Sequence, residues 1–225
     1  MKKLATVVLS ILMIGAAAAN LHGQSLNLKV GAFSPGMQSD LWETNLENLA
    51  FDKQDMLGAY FGAELEMFMG RYFSLALEGG HYRQEVYSVY EFVTYDDGSP
   101  INQDLFLRVS SLEAGIKLYP AGHRELFNPY IGGGIGFYFW KYYQGGEFVD
   151  FVEEIVYEGE AYTDRMSLGF NVKAGFVYRW RRSVGISFES KYTYLKGELS
   201  SLFEGFEKLD LSGFTFTVGL NLFLR

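Results

Sequence analysis

The end of the chain constrains the fold more than any other stretch. From Phe214 onward, Phe214, Phe216, Val218, Leu220, Leu222 and Leu224 fall on one face of an extended chain. Thr215, Thr217, Gly219 and Asn221 fall on the other, followed by Phe223. A period of two marks a strand. About ten residues with one wholly apolar face match a tilted membrane-crossing strand. After the first twenty or so residues no apolar run reaches the roughly eighteen needed for a membrane helix. A sheet can stand in lipid only if it closes on itself, because an open edge leaves N–H and C=O groups unpaired where water cannot reach.

Seven earlier segments carry the same alternation. They run over Leu26–Ala32, Leu57–Met67, Phe73–Arg83, Ser111–Leu118, Ile131–Trp140, Ser167–Phe176 and Val184–Tyr192. Long connections (34–55, 85–104, 142–164 and 195–210) alternate with short ones at Gly70-Arg71, Pro120–Asn128 and Arg179–Ser183. Both ends then lie on the short-turn side. The expected fold is all-β: an eight-stranded antiparallel up-and-down transmembrane β-barrel. The 26 Gly, 20 Phe and 16 Tyr, with only 4 Pro, suit strands joined by tight turns.

The start of the chain reads as an address. Lys2-Lys3, the apolar run Leu4–Ala19 and the small residues Ala16–Ala19 have the layout of a cleaved secretory signal. Cleavage is expected after Ala19 or after Gly23, giving a leader over 1–23 and one barrel domain over 24–225. The absence of cysteine removes disulfides, thiolate metal sites and a lipoprotein anchor. The formal net charge of −8 argues against nucleic acid as a partner.

A soluble barrel would turn its apolar face inward. Here the apolar face is almost free of charge, while the polar face mixes glycine with long charged residues. That combination fits a narrow packed lumen inside a lipid-facing wall. Charge is also sorted by end. Twenty-one of the 27 acids lie in the four long connections, while Arg71, Arg124, Arg179, Arg181 and Arg182 lie in the short ones. Tyr72, Tyr119, Phe127, Tyr130 and Trp180 near the basic end, and Trp140, Tyr142, Tyr143, Tyr192 and Tyr194 near the acidic end, read as two interface girdles.

Five inward acids, Glu64, Glu66, Glu78, Glu113 and Glu189, are matched by four inward bases, Lys29, Lys117, Lys173 and Lys191. An eight-stranded barrel is just wide enough to be filled by side chains. Unpaired charges there would each cost several kcal/mol, so a connected network is expected, with the surplus acid either protonated or met by Arg83 or Arg108 from higher in the barrel. The glycines at 132, 134 and 136 give it room. Gly132–Gly136 lacks the spacing of a phosphate loop, and Gly185–Glu189 is a broken nucleophile elbow. His81 and His123 do not make a zinc site. No catalytic, cofactor or metal residue is assigned, and no enzymatic activity is expected.

The terminal pattern of Thr217, Gly219, Leu222, Phe223 and Leu224 resembles the carboxy-terminal assembly signal of bacterial outer-membrane barrels. Asn128-Pro129-Tyr130 with its following glycine run resembles a recurrent segment of the same family. The chain is similar to the small outer-membrane barrels of the OmpA, OmpX and OmpW types. That resemblance implies the outer membrane of a Gram-negative cell, reached through periplasmic chaperones and the outer-membrane assembly machinery, as a monomer. It implies a structural or surface-interaction role, here through acidic loops that meet lipopolysaccharide, bridged by divalent cations. The alternative it implies is an OmpW-like path for small or apolar solutes, which needs a sideways opening to lipid. An outer-membrane lipid A deacylase shares the scaffold, but His81-Tyr82-Arg83 lacks its His-x-Ser pattern.

Overall fold

The computed structural model describes residues 24–150 and 155–224. The leader at 1–23, and Glu153 and Glu154 of the third connection, lie outside the described residues. In chain order the elements are β1 (Gln24–Pro35), α1 (Asp40–Asn48), β2 (Gly58–Met69), β3 (Phe73–Thr94), β4 (Pro100–Leu118) and β5 (Phe127–Asp150). There follow β6 (Ile155–Arg181), β7 (Val184–Tyr194), β8 (Lys196–Gly197), β9 (Leu209–Asp210) and β10 (Gly213–Leu224). Eight of the strands close into a barrel in the order β1-β10-β7-β6-β5-β4-β3-β2, while β8 and β9 form a separate small hairpin. Closure is antiparallel: Val30 of β1 faces Val218 of β10 on one side and Phe61 of β2 on the other.

The period-two face is turned out. Val30 is 54% exposed, Phe61 58%, Ile135 69% and Leu168 70%, whereas Asn27, Lys29, Glu64, Thr215 and Asn221 on the opposite face are buried. An apolar outer wall around a polar interior is the inverse of a soluble barrel, and it requires lipid as the outer solvent.

Two of the four expected long loops are not loops. Segment 85–104 is a hairpin in register from Glu85↔Phe106 to Val89↔Asn102, with a bulge before Thr94↔Pro100. The described residues of segment 142–164 are paired, from Tyr142↔Thr163 to Asp150↔Ile155. The alternation does not stop there but changes phase. On β4, Leu112, Ala114 and Ile116 point outward, yet Leu105, Leu107 and Val109 point inward. Once a strand leaves the bilayer its outer face meets water, and the apolar residues move to the inside.

The first connection contains helix α1. Leu41, Trp42, Asn45 and Leu49 recur at helical spacing and are all buried, and Asp40 and Glu43 in the first turn favour its positive end. Trp42 donates its indole N–H to the Asp210 carbonyl at 2.9 Å, tying the helix to β9 across the barrel mouth. Two of the acids in the long connections, Asp40 and Asp210, are held as caps. Asp210 accepts from the backbone N–H of Gln38 at 3.2 Å and of Ser212 at 3.1 Å, and Asp40 accepts from that of Glu207 at 2.8 Å.

The girdles are also corrected. Tyr72, Phe127, Trp180 and Tyr194 are exposed, but Tyr119, Tyr130, Trp140 and Tyr142 are buried in the interior. Parity is the reason: Tyr119 stands two residues from the inward Lys117, and Tyr130 two from the inward Gly132.

Candidate functional site in the barrel lumen

Ladder register sorts the inward charges by sign. Glu64, Glu78 and Glu113 are direct cross-strand neighbours on β2, β3 and β4, and Lys173 and Lys191 are neighbours on β6 and β7. Like charges placed side by side in a sheet destabilise it. Here the compensation acts across the lumen. Lys173 reaches Glu78 at 2.7 Å and Glu64 at 3.2 Å, and Lys191 reaches Glu78 at 2.8 Å and Glu113 at 3.0 Å. Lys29 of β1 sits between the walls and binds Glu189, Glu78 and Glu64 at 2.8, 3.0 and 3.1 Å. Lys117 pairs with Glu64 and lies 3.7 Å from Glu66 and 3.9 Å from Glu189. All nine residues are buried and form one connected cluster.

Glycines make the room. Lys29 is flanked by Gly62 and Gly219, Lys117 by Gly132, Glu113 by Gly136 and Glu189 by Gly175. A Cβ at Gly136 would lie 2.7 Å from the Glu113 Cγ, so the long side chain fits only beside a glycine.

The surplus carboxylate is not met by Arg83 or Arg108. Both point outward, pairing with Glu85 at 3.5 Å and Asp164 at 3.8 Å in exposed positions. Each lies five residues from the inward Glu78 or Glu113, an odd spacing that places it on the outer face. Neutral donors serve instead. Glu66 accepts from the hydroxyls of Ser74 and Tyr119, Glu189 from Tyr130 at 2.8 Å and Glu78 from Tyr60 at 3.0 Å. Glu113 accepts from Asn171 at 2.6 Å and Ser111 at 2.7 Å. Tyr60, Ser74, Ser111, Tyr119 and Asn171 stand at even spacing from a lumen charge, and Tyr130 from the inward Gly132, a signal the sequence does carry.

A second, apolar layer lies above the charges, and sequence reasoning missed it. Phe33, Tyr82, Leu105, Leu107, Trp140 and Tyr142 from the strands pack with Leu195 just after β7, Trp42 of α1 and Phe203 of the last loop. Trp42 meets Tyr142 edge-on at 5.2 Å. Between the layers a void of about 30 Å³, lined by Tyr60, Glu113, Tyr138 and Lys191, has room for a single water near the buried Tyr138 hydroxyl. Outside, a cleft of about 390 Å³ opens between α1, the β5–β6 hairpin and Phe203. Among the described residues no group of three or more His, Asp or Glu converges to hold a metal ion.

The residues of the terminal pattern all lie on β10, the closing strand. Thr217 and Gly219 face the lumen, Leu222 and Leu224 face outward, and the Phe223 ring lies 3.7 Å beneath the Arg179 guanidinium at the basic rim.

The family model for the outer membrane protein beta-barrel domain matches residues 4–221. The chain belongs to the outer-membrane β-barrel family. It is therefore an integral protein of the outer membrane, with the short turns toward the periplasm and the long hairpins outside. Solved outer-membrane barrels share its fold. Neisserial surface protein A aligns over 89% of this chain and 96% of its own at 10% identity, with a TM-score of 0.52. OprG from Pseudomonas aeruginosa aligns over 91% and 96% at 12% identity, with a TM-score of 0.53. A major outer membrane protein from Thermus thermophilus aligns over 90% and 100% at 10% identity, with a TM-score of 0.54. Comparison with curated protein sequences yields no match.

Proposed function

We propose that this outer-membrane barrel is a closed, non-conducting scaffold that carries an acidic surface for interaction outside the cell. The single observation behind this reading is the two-layer filling of the lumen. An ion passing through would have to break a network in which every ammonium group holds two or more carboxylates, and then an apolar layer without charge. The charges are the register device and the lower seal. The loop and helix side chains are the upper one.

The outer part supports the surface role. β5 and β6 span 24 and 27 residues, against 12 for β1 and 11 for β7. At about 3.3 Å per residue and the usual tilt, their hairpin rises roughly 30 Å above the β1 and β7 side of the rim. That height carries Glu147, Glu158 and Glu160 away from the anionic lipopolysaccharide surface. The uncapped loop acids that lie nearer the membrane meet that surface through bridging divalent cations.

Planar-bilayer recording of the unmodified protein tests the closed lumen. The expected trace has no steady conductance. Lys173→Ala combined with Trp42→Ala, which opens both layers, is expected to leak. A steady large conductance in the unmodified protein would overturn the reading and favour a solute path.

A further inference from the structure

We propose that the periplasmic rim holds an anionic glycerophospholipid of the inner leaflet by its phosphate. The turn between β6 and β7 and the connection between β4 and β5 together form an open basic pocket of about 780 Å³, built around Arg124, Arg179, Arg181 and Arg182 with Trp180 and Leu126. Its one acid, Glu125, is already turned to Arg71 at 3.6 Å. Among the described residues no carboxylate lies in ion-pair contact with Arg124, Arg179, Arg181 or Arg182. The Arg179 Nε is buried and has no hydrogen-bond partner, although its guanidinium is held in place over Phe223. A buried, oriented and unpartnered donor among four guanidinium groups is a phosphate-binding arrangement.

Position decides between lipid and a soluble anion. Trp180 continues the outward series Phe170, Val172, Phe176 and Tyr178 of β6 and is 67% exposed, and Leu126 is 62% exposed. The outer lip of the pocket, Trp180 and Leu126, therefore lies at the end of the lipid-facing wall, while Arg179, at odd spacing from that outward series, faces inward over Phe223. An indole at that level sits among headgroups, and the arginines beside it reach the phosphate plane. A headgroup with a net negative charge suits this rim. A zwitterionic ethanolamine headgroup brings an ammonium group that the same arginines repel.

The test uses the full chain folded in neutral detergent and native mass spectrometry with added phosphatidylglycerol or phosphatidylethanolamine. Phosphatidylglycerol is expected to be retained at least about fivefold better, the factor one arginine gives at a charged surface. Arg181→Gln with Arg182→Gln should remove that preference while the folded band on an unheated gel is unchanged, and Arg124→Gln alone should weaken it in part. Inorganic phosphate at millimolar concentration should leave the lipid bound. Equal retention of the two lipids, an unaffected double variant, or displacement of the lipid by inorganic phosphate would each overturn the proposal.

Discussion

Glu78 of β3 and Lys173 of β6 meet at 2.7 Å across the barrel, 95 residues apart in sequence and on strands that do not touch. Each stands beside a neighbour of its own sign on the ladder, Glu78 between Glu64 and Glu113, Lys173 beside Lys191. The sheet alone would therefore be strained by its charges, and only the closed barrel relieves it.

Removing one partner should cost far more than a surface pair would. Lys173→Met leaves Glu64 and Glu78 buried with one cation fewer, and a loss of about 3–5 kcal/mol in stability is expected. Urea unfolding in detergent or lipid measures it. A loss below about 1 kcal/mol, the range of exposed pairs, would show that water already enters the lumen.

The closing strand should limit insertion. A side chain at Gly219 would collide with the Asn27 amide and the Ser187 hydroxyl, which bond each other at 3.1 Å. Gly219→Val is expected to slow folding into vesicles and to cost about 1–3 kcal/mol by overpacking. Phe223→Ala, which removes the ring under Arg179, should slow insertion as well. The time course of the heat-resistant band on gels reports both, and unchanged rates would separate these residues from assembly.

The periplasmic turn should weaken in mild acid. His123 stacks on Phe68 at 4.2 Å and lies next to the Arg71 carbonyl, with its ring Nδ1 at 3.0 Å. Burial, helped by nearby Arg124 and Arg179, holds its pKa below the ordinary histidine value of 6.5. The unfolded chain then takes up a proton at higher pH than the folded one. The contribution is fully present above about pH 6.5 and falls as the pH drops toward the folded pKa. Thermal unfolding between pH 7.5 and pH 5 should show this slope, and His123→Phe, which keeps the stacking, should flatten it.

The acidic outer face should respond to divalent cations. Calorimetric titration with Ca²⁺ or Mg²⁺ in the presence of lipopolysaccharide should give heat and a raised melting temperature. No heat and no stabilisation at millimolar concentration would sink cation bridging. Glu147 should not take part, because its carboxylate already accepts from the Asn102 N–H at 2.8 Å and the Tyr95 hydroxyl at 2.9 Å, which hold its pKa below the usual range.

The eight spans were legible because lipid on one side and a packed lumen on the other enforce a strict period of two. The nine lumen charges were legible for the same reason: parity alone puts Glu78 and Lys173 on the inner face. Their pairing was not, because partners such as Lys29 and Glu189 belong to strands brought together only by closure. The upper layer was hidden by a change of phase. Between Val109 and Leu112 the apolar residues pass from inward to outward, and a search for one unbroken pattern reads that point as the start of a loop. Arg83 and Arg108 were misplaced by ignoring the parity that located their neighbours.

The unequal strands give the molecule a slanted top. The β3–β6 side stands well clear of the membrane, while the β1, β2, β7 and β10 side ends near it under α1 and the β8–β9 hairpin. A particle arriving from the medium touches the tall hairpins first. A protein diffusing in the plane of the membrane reaches the low side without meeting them. One small cylinder thus keeps separate frontages for visitors from outside the cell and for its neighbours in the bilayer.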